Sequence, residues 1–193
     1  MIKKKIFILL GHPDKDTTCG SLADAYEAGA REALHEVRRT NLGEINFDPI
    51  LHKGYKVIQE LEPDLVKIQD DIKWCDHLVI FYPTWWSTMP ALLKGMFDRM
   101  WLPSFAYNFR KNGLGWVKRL KGKTARVVVT SNSHPLITRV LLGDTTNEIR
   151  KGILWFSGIW PVRLTKLGGL KTESNAKQEN RKRRLYKMGI RAK

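Results

Sequence analysis

Compact apolar runs alternate along this chain with stretches of helical periodicity, and no other feature restricts the fold as much. Lys5 to Leu10, His77 to Tyr82 and Thr124 to Thr130 carry Ile, Leu, Val and Phe with little polar alternation, as strands covered on both faces do. Val37 to Leu42 reads as a weaker second strand and Val162 to Leu167 as a fifth. Between them, Leu22, Ala25, Tyr26, Ala30, Ala33, Leu34 and Val37 recur at three- and four-residue spacing, which predicts a helix over Cys19 to Arg38. Glu60 to Trp74 has the same periodicity, although Asp48-Pro49 breaks any helix before it and leaves residues 43–73 ambiguous. Pro90 to Trp101 opens on a proline in its favoured first-turn position. Thr145 to Phe156 and Ser174 to Lys187 complete the set. Five strands alternating with helices predict an α/β protein, a three-layer doubly wound domain around a parallel sheet. The length of 193 residues fits one such domain. Residues 1–176 form its body, and 177–193 a basic C-terminal helix or tail of the same domain.

Composition bears on what surrounds this domain. No apolar run reaches the roughly 18 residues a membrane helix needs. Met1-Ile2-Lys3-Lys4-Lys5 imitates the charged start of a signal peptide, but the apolar run ends at Leu10 with no small-residue cleavage pattern and reads better as a strand. Cys19 and Cys75 are far apart and form no CxxC, which implies reduced thiols and a cytoplasmic protein. The net charge of +15 gathers in two places. One is the acid-free stretch of Lys and Arg at 110, 111, 118, 119, 121, 123 and 126; the other is Arg181-Lys182-Arg183-Arg184 with Lys187, Arg191 and Lys193. Such clusters suit an anionic nucleotide, nucleic acid or a membrane surface. Nucleic acid is disfavoured, because no helix-turn-helix, zinc-finger or RRM signature accompanies them. Arg181 to Lys193 could also be no more than a frayed, solubilising helix end, and whether it has a partner is left open. The five histidines show no metal-ligand spacing, so no metal site is expected.

In a doubly wound sheet the ligand lies outside the strands' C-terminal ends. Three loops belong there. Gly11-His12-Pro13-Asp14-Lys15-Asp16-Thr17-Thr18-Cys19 leads into the first helix, whose free N–H groups and dipole favour a phosphate. It is neither GxGxxG nor a Walker A loop, and Thr17 or Thr18 could be a simple N-cap. Pro83-Thr84-Trp85-Trp86-Ser87 follows the third strand. Two adjacent tryptophans between prolines either cap the core or offer indole faces to a flat, polar-edged ring such as a flavin. Thr130-Ser131-Asn132-Ser133-His134 follows the fourth strand, and its polar side chains could hydrogen-bond the edge of that ring.

The segments Gly11-His12-Pro13, Phe47-Asp48-Pro49, Asp76 to Pro83 and Pro90 to Arg99 resemble the flavodoxin-like NAD(P)H:quinone oxidoreductases, from about Lys5 to Leu170. That group includes DT-diaphorase, the modulators of drug activity and the Kef ancillary proteins. The resemblance implies strand order 2-1-3-4-5, a bound FMN or FAD, and a homodimer with sites at the subunit interface. It also implies ping-pong hydride transfer from NADPH or NADH, through flavin N5, to a quinone-like acceptor. By position, His12, Thr17, Thr18 and Cys19 match the flavin phosphate loop. Pro83, Thr84, Trp85, Trp86 and Ser87 match the loop along the isoalloxazine, and Thr130, Ser131, Asn132 and Ser133 the third loop. Tyr107 and Phe109 fall where the group lines its substrate pocket, often across the dimer interface.

The chain departs from that pattern in two respects. Where the mammalian members carry a Tyr/His pair that assists charge transfer, alignment on Gly143-Asp144 places Leu136 and Leu142. Tyr107 and His134 are the candidate catalytic substitutes, although His134, before a proline, could as easily be a surface-loop residue. The chain also lacks the extra C-terminal domain of the longer mammalian enzyme, which favours FMN over FAD. Two other readings remain: a regulatory flavoprotein on a membrane potassium-efflux transporter, with the basic tail toward lipid or partner, and a one-electron flavodoxin-type carrier, whose usual acidic surface is missing.

Overall fold

The computed structural model describes residues 2–111 and 113–193; Met1, where the charged start begins, lies outside them. Among the described residues seven strands form: β1 (Lys5–Leu10), β2 (Glu36–Asn41), β3 (His77–Pro83), β4 (Tyr107–Phe109), β5 (Trp116–Lys118), β6 (Thr124–Thr130) and β7 (Val162–Leu167). Five of them make one parallel sheet in the order β2-β1-β3-β6-β7, which is the expected 2-1-3-4-5 once the small β4–β5 hairpin is set aside. The helices are α1 (Thr18–Glu32), α2 (Pro63–Trp74), α3 (Ala91–Met100), α4 (Pro135–Leu142) and α5 (Asn175–Ile190), with a π-helical stretch at Glu148–Trp155.

Alternation along each central strand divides the interior into two cores. Phe7, Leu9, Leu78, Ile80 and Val127 point to the face covered by α2 and α3. Ile6, Ile8, Leu10, Val79, Phe81 and Val128 point to the face covered by α1 and α5. Each such side chain contributes about 1.5–3 kcal/mol by leaving water, so β1 and β3, buried on both faces, hold the sheet in register.

Several boundaries differ from the sequence reading. The first helix stops at Glu32 rather than Arg38: Leu34 takes a left-handed φ of 60° and the chain enters β2, so Val37 is a strand residue. The ambiguous segment before α2 is irregular and is clamped by Arg99 of α3. That guanidinium, 1% exposed, pairs with both oxygens of Glu62 at 3.1 and 3.0 Å and donates to the carbonyls of Asp48 and Glu60. The helix expected over Thr145–Phe156 is largely π-helical. Two elements were not expected at all: the β4–β5 hairpin and α4.

The C-terminus is not a frayed end. α5 runs to Ile190 and lies against α1, with Leu185, Gly189 and Ala192 buried. No helix among the described residues is long and apolar enough to cross a membrane.

Candidate functional site

Because the five strands are parallel, their C-terminal ends share one edge, and the three loops meet there. Each leaves its strand tied to the next: the Gly11 amide donates to Phe81 O at 2.7 Å, Thr84 to Thr130 O at 2.7 Å, and Ser131 to Leu167 O at 2.9 Å.

The first loop is built to present a helix N-terminus. The Thr17 hydroxyl accepts from the Gly20 amide at 3.2 Å and caps α1. Gly20 is required, since a Cβ there would stand 1.9 Å from the Lys15 carbonyl oxygen. The Asp14 carboxylate accepts from Asp16 N at 2.8 Å, and His12 Nδ1 accepts from Asp14 N at 2.9 Å. Lys15 pairs with Glu44 at 2.5 Å, and that hydrogen bond raises the pKa of its ammonium. The amides of Thr18 and Cys19 are then the first N–H groups of α1, positions that have no intrahelical acceptor. The Cys19 thiol points inward; burial pushes its pKa up to about 12, while a hydrogen bond with Thr130 opposes the shift. Both side chains therefore brace the loops from below rather than face a ligand, and any contact by Cys19 is through its backbone.

The second loop is a tight turn. Trp85 and Thr88 exchange backbone hydrogen bonds at 3.0 and 3.1 Å, and Trp86 and Ser87 between them have φ of 49° and 66°. Two left-handed central residues define a type I′ turn, and for a side chain as large as Trp that backbone costs about 1–3 kcal/mol. Trp86 is 100% exposed, which rules out the core-capping alternative for it. Trp85 is half exposed and meets the His12 ring edge-on at 5.5 Å. The Thr88 hydroxyl donates to Glu148 of the π-helical stretch at 3.2 Å, which anchors the turn from outside.

In the third loop the Ser131 hydroxyl donates to the Ser133 carbonyl at 2.8 Å, and His134 Nδ1 accepts from Leu136 N at 3.3 Å as the cap of α4. Between the second and third loops lies a cleft of 290 Å³. Of the residues named from the sequence, Thr84, Trp86, Ser87, Ser131, Asn132 and Ser133 line it. Thr138 and Arg139 of α4, Thr145 and Lys166 also line it and were not anticipated. The signal for α4 was present in His134-Pro135 at its start and Gly143 at its end. Lys166 is oriented by Asp144 at 3.0 Å; hydrogen bonding from Thr146, then Lys166, pulls the Asp144 carboxyl down to about 2.

Trp85, Pro83, Tyr107, Phe109 and His134 do not line this cleft. Tyr107 and Phe109 sit on the β4–β5 hairpin, where the Tyr107 ring is 5.2 Å from both Phe109 and Phe156. His134 borders a different, basic groove beside α5. Pro83 is the half-buried last residue of β3.

A family model described as a flavodoxin-like fold matches residues 4–189. A relative named as an uncharacterised NAD(P)H oxidoreductase, YcaK of Escherichia coli (strain K12), is 30% identical over 112 residues, which are 55% of this chain and 57% of that protein. The chain thus spans well under two thirds of that relative's length. Among solved structures, the NAD(P)H:quinone oxidoreductase from Methanothermobacter marburgensis superposes with a TM-score of 0.83 at 23% identity, covering 100% of both chains. An FMN-dependent NADH-azoreductase from Bacillus anthracis, in complex with FMN, gives 0.76 at 17% identity over 98% of this chain and 99% of its own. At these identities the two structures establish the fold.

Proposed function

The chain belongs to the flavodoxin-like fold family, and from that premise we propose that it is a flavin-dependent NAD(P)H:quinone oxidoreductase. The observation that carries this reading is the exposed Trp86, held with Ser87 in a left-handed backbone opposite the polar Ser131–Ser133 loop across one cleft. An exposed indole on a strained turn contributes nothing to a core, and it suits stacking on a flat ring. The names of the relatives and structural neighbours point the same way.

In this reading the amides of Thr18 and Cys19, with the α1 dipole behind them, hold the flavin phosphate, and Thr17 fixes the helix start that aims them. His12 positions Trp85; Pro83, Thr84, Trp85, Trp86 and Ser87 run along the isoalloxazine, and Ser131, Asn132 and Ser133 meet its polar edge. Thr130 acts through its hydrogen bond with Cys19. Bound there, the flavin supplies two-electron transfer between NADPH or NADH and a quinone-like acceptor. The protein's part is to hold donor and acceptor in turn against one face and to neutralise developing negative charge, for which Arg139 and Lys166 border the cleft. FMN is favoured over FAD. The protein acts as a cytoplasmic homodimer in which Tyr107 and Phe109 reach the partner's site. The exposed Leu136, Ile137, Val140, Leu141 and Leu142 of α4 provide an apolar face of the kind subunit contacts use. The regulatory-subunit alternative gains no support from the relatives.

The test is an absorbance spectrum of natively purified protein. A flavin band near ~450 nm that bleaches under anaerobic NADPH and returns with menadione is expected, and chromatography of the released flavin then separates FMN from FAD. A colourless protein that takes up neither flavin nor oxidises NADPH overturns the reading.

A further inference from the structure

α5 has two faces. One, with Leu185 and Gly189, is buried against α1. The other presents Arg184, Lys187 and Arg191 to a groove of 790 Å³ that runs from His134 and Lys166 at the sheet's C-terminal edge to Lys193. Nine of the residues lining it are Lys or Arg, and none is Asp or Glu. Two of these cations are paired, Lys166 with Asp144 at 3.0 Å and Arg181 with Glu173 at 2.8 Å. Arg184, Lys187 and Arg191 have no ion pair among the described residues.

The floor of the groove is Arg126, a strand residue in the middle of β6 and 7% exposed. Its Nε donates to an oxygen of Lys193, the last residue of the sequence, and its Nη1 to the Thr165 hydroxyl at 2.6 Å. Burial lowers its pKa, and the like charges of Arg163 and Arg184 act in the same direction. With Arg163 and Arg184 beside it, this guanidinium adds to a positive potential in the groove that attracts anions.

We propose that this groove binds a small ligand carrying two or more phosphate groups, seated on Arg126 and held along α5 by Arg184, Lys187 and Arg191. Arg126 lies at the bottom of a concavity, where the flat surface of a bilayer or the backbone of a duplex would meet only the rim. The groove volume falls within the roughly 300–1,000 Å³ of small-molecule sites. Guanidinium forks match phosphate oxygens bidentately. Arg184, Lys187 and Arg191 recur about once per helical turn, roughly 5 Å apart along the axis, so one phosphate chain can meet more than one of them. The contacts it invokes, on Arg126, Arg184, Lys187 and Arg191, are separate from those of the three loops, although the groove shares Lys166 with the cleft.

Calorimetry of the protein as purified, titrated with inorganic tripolyphosphate and then with ATP, tests it. One saturable site is expected. Its affinity should fall about tenfold or more in the doubly substituted Arg184→Glu/Lys187→Glu, whose side chains are exposed and whose loss leaves the core intact. Lys53→Glu/Lys56→Glu, with the same change of net charge on a remote exposed loop, should stay within about twofold of the parent. Tighter binding of ATP assigns the site to a nucleotide; equal affinity assigns it to the phosphate chain alone. Equal weakening in both double variants would reduce the groove to non-specific charge. Undiminished binding in the α5 variant, or retention of duplex DNA or phosphatidylserine vesicles without a saturable tripolyphosphate heat, would equally overturn the proposal.

Discussion

His77 shows how one buried side chain makes the fold sensitive to acid. It opens β3, is fully buried, and its Nδ1 lies 2.7 Å from the Thr124 hydroxyl, while Nε2 has no partner. Burial, and then the charges of Lys4, Arg126 and Arg163, pull its pKa from 6.5 to about 3. The folded state therefore keeps the ring neutral where the unfolded chain protonates it. Stability should fall as pH drops below about 6.5 and go on falling toward about 3, by up to about 1.4 kcal/mol per pH unit from this group. In His77→Gln that component vanishes, so urea midpoints measured between pH 7 and pH 4.5 should slope less steeply than in the parent. Parallel slopes would show that the histidine is not the sensor. Nothing in the sequence marked His77 as special, because its environment is made by strands β1 and β6, far away in the chain. The Trp85–Trp86 pair was legible for the opposite reason: its oddity, two large aromatics between prolines, is local.

Elements were legible in proportion to how deeply they are buried. β1, β3 and β6 read directly as apolar runs, since both their faces are covered and no alternation confuses them. α4 escaped notice because its apolar residues face solvent and mark no core-facing stripe, and β4 and β5 because each has only three residues, β4 just before the basic stretch and β5 within it. That stretch does not act as one patch. Lys123 is spent on the carbonyls of Lys73 and Cys75 at 2.6 Å, Lys118 lies 3.6 Å from the centre of the Trp155 ring, and Arg126 turns into the sheet. The α1–α5 contact was also illegible, because it depends on absent side chains: a Cβ on Gly29 would stand 2.1 Å from Tyr186 O, and one on Gly189 2.0 Å from Tyr26 O. Backbone cannot yield as a side-chain tip can. Gly189→Ala should therefore cost about 1–3 kcal/mol despite alanine's better helix propensity of about 1 kcal/mol. Gly152→Ala, with nothing within 4 Å, should be neutral or stabilising. Thermal midpoints of the two variants measured together decide it; an unchanged Gly189→Ala would mean that α5 is free to move off α1.

At the scale of the whole molecule the surface is divided, with cations concentrated along α5 and apolar side chains concentrated on α4 near the candidate cleft. Val140 and Leu141 are 75% and 74% exposed, well beyond what scattered surface hydrophobics need, and they stand on a helix that also supplies Thr138 and Arg139 to the cleft. A second copy seated on this face would shield the apolar patch and enclose the site in one step. It would also give Tyr107 and Phe109, which lie apart from the cleft of their own chain, a site to line. Val140→Asp/Leu141→Asp places two charges where a partner must dehydrate them, while the folded protomer, in which both residues already face water, is left intact. Analytical ultracentrifugation should show a dimer for the parent and a monomer for the variant, with unchanged circular dichroism. Because the proposed flavin contacts all lie within one chain, the variant should still bind flavin, and quinone turnover should fall by about tenfold or more for want of the partner's aromatics. A monomeric parent, or a monomeric variant with full turnover, would confine the active site to a single protomer and leave the exposed face of α4 to some other contact.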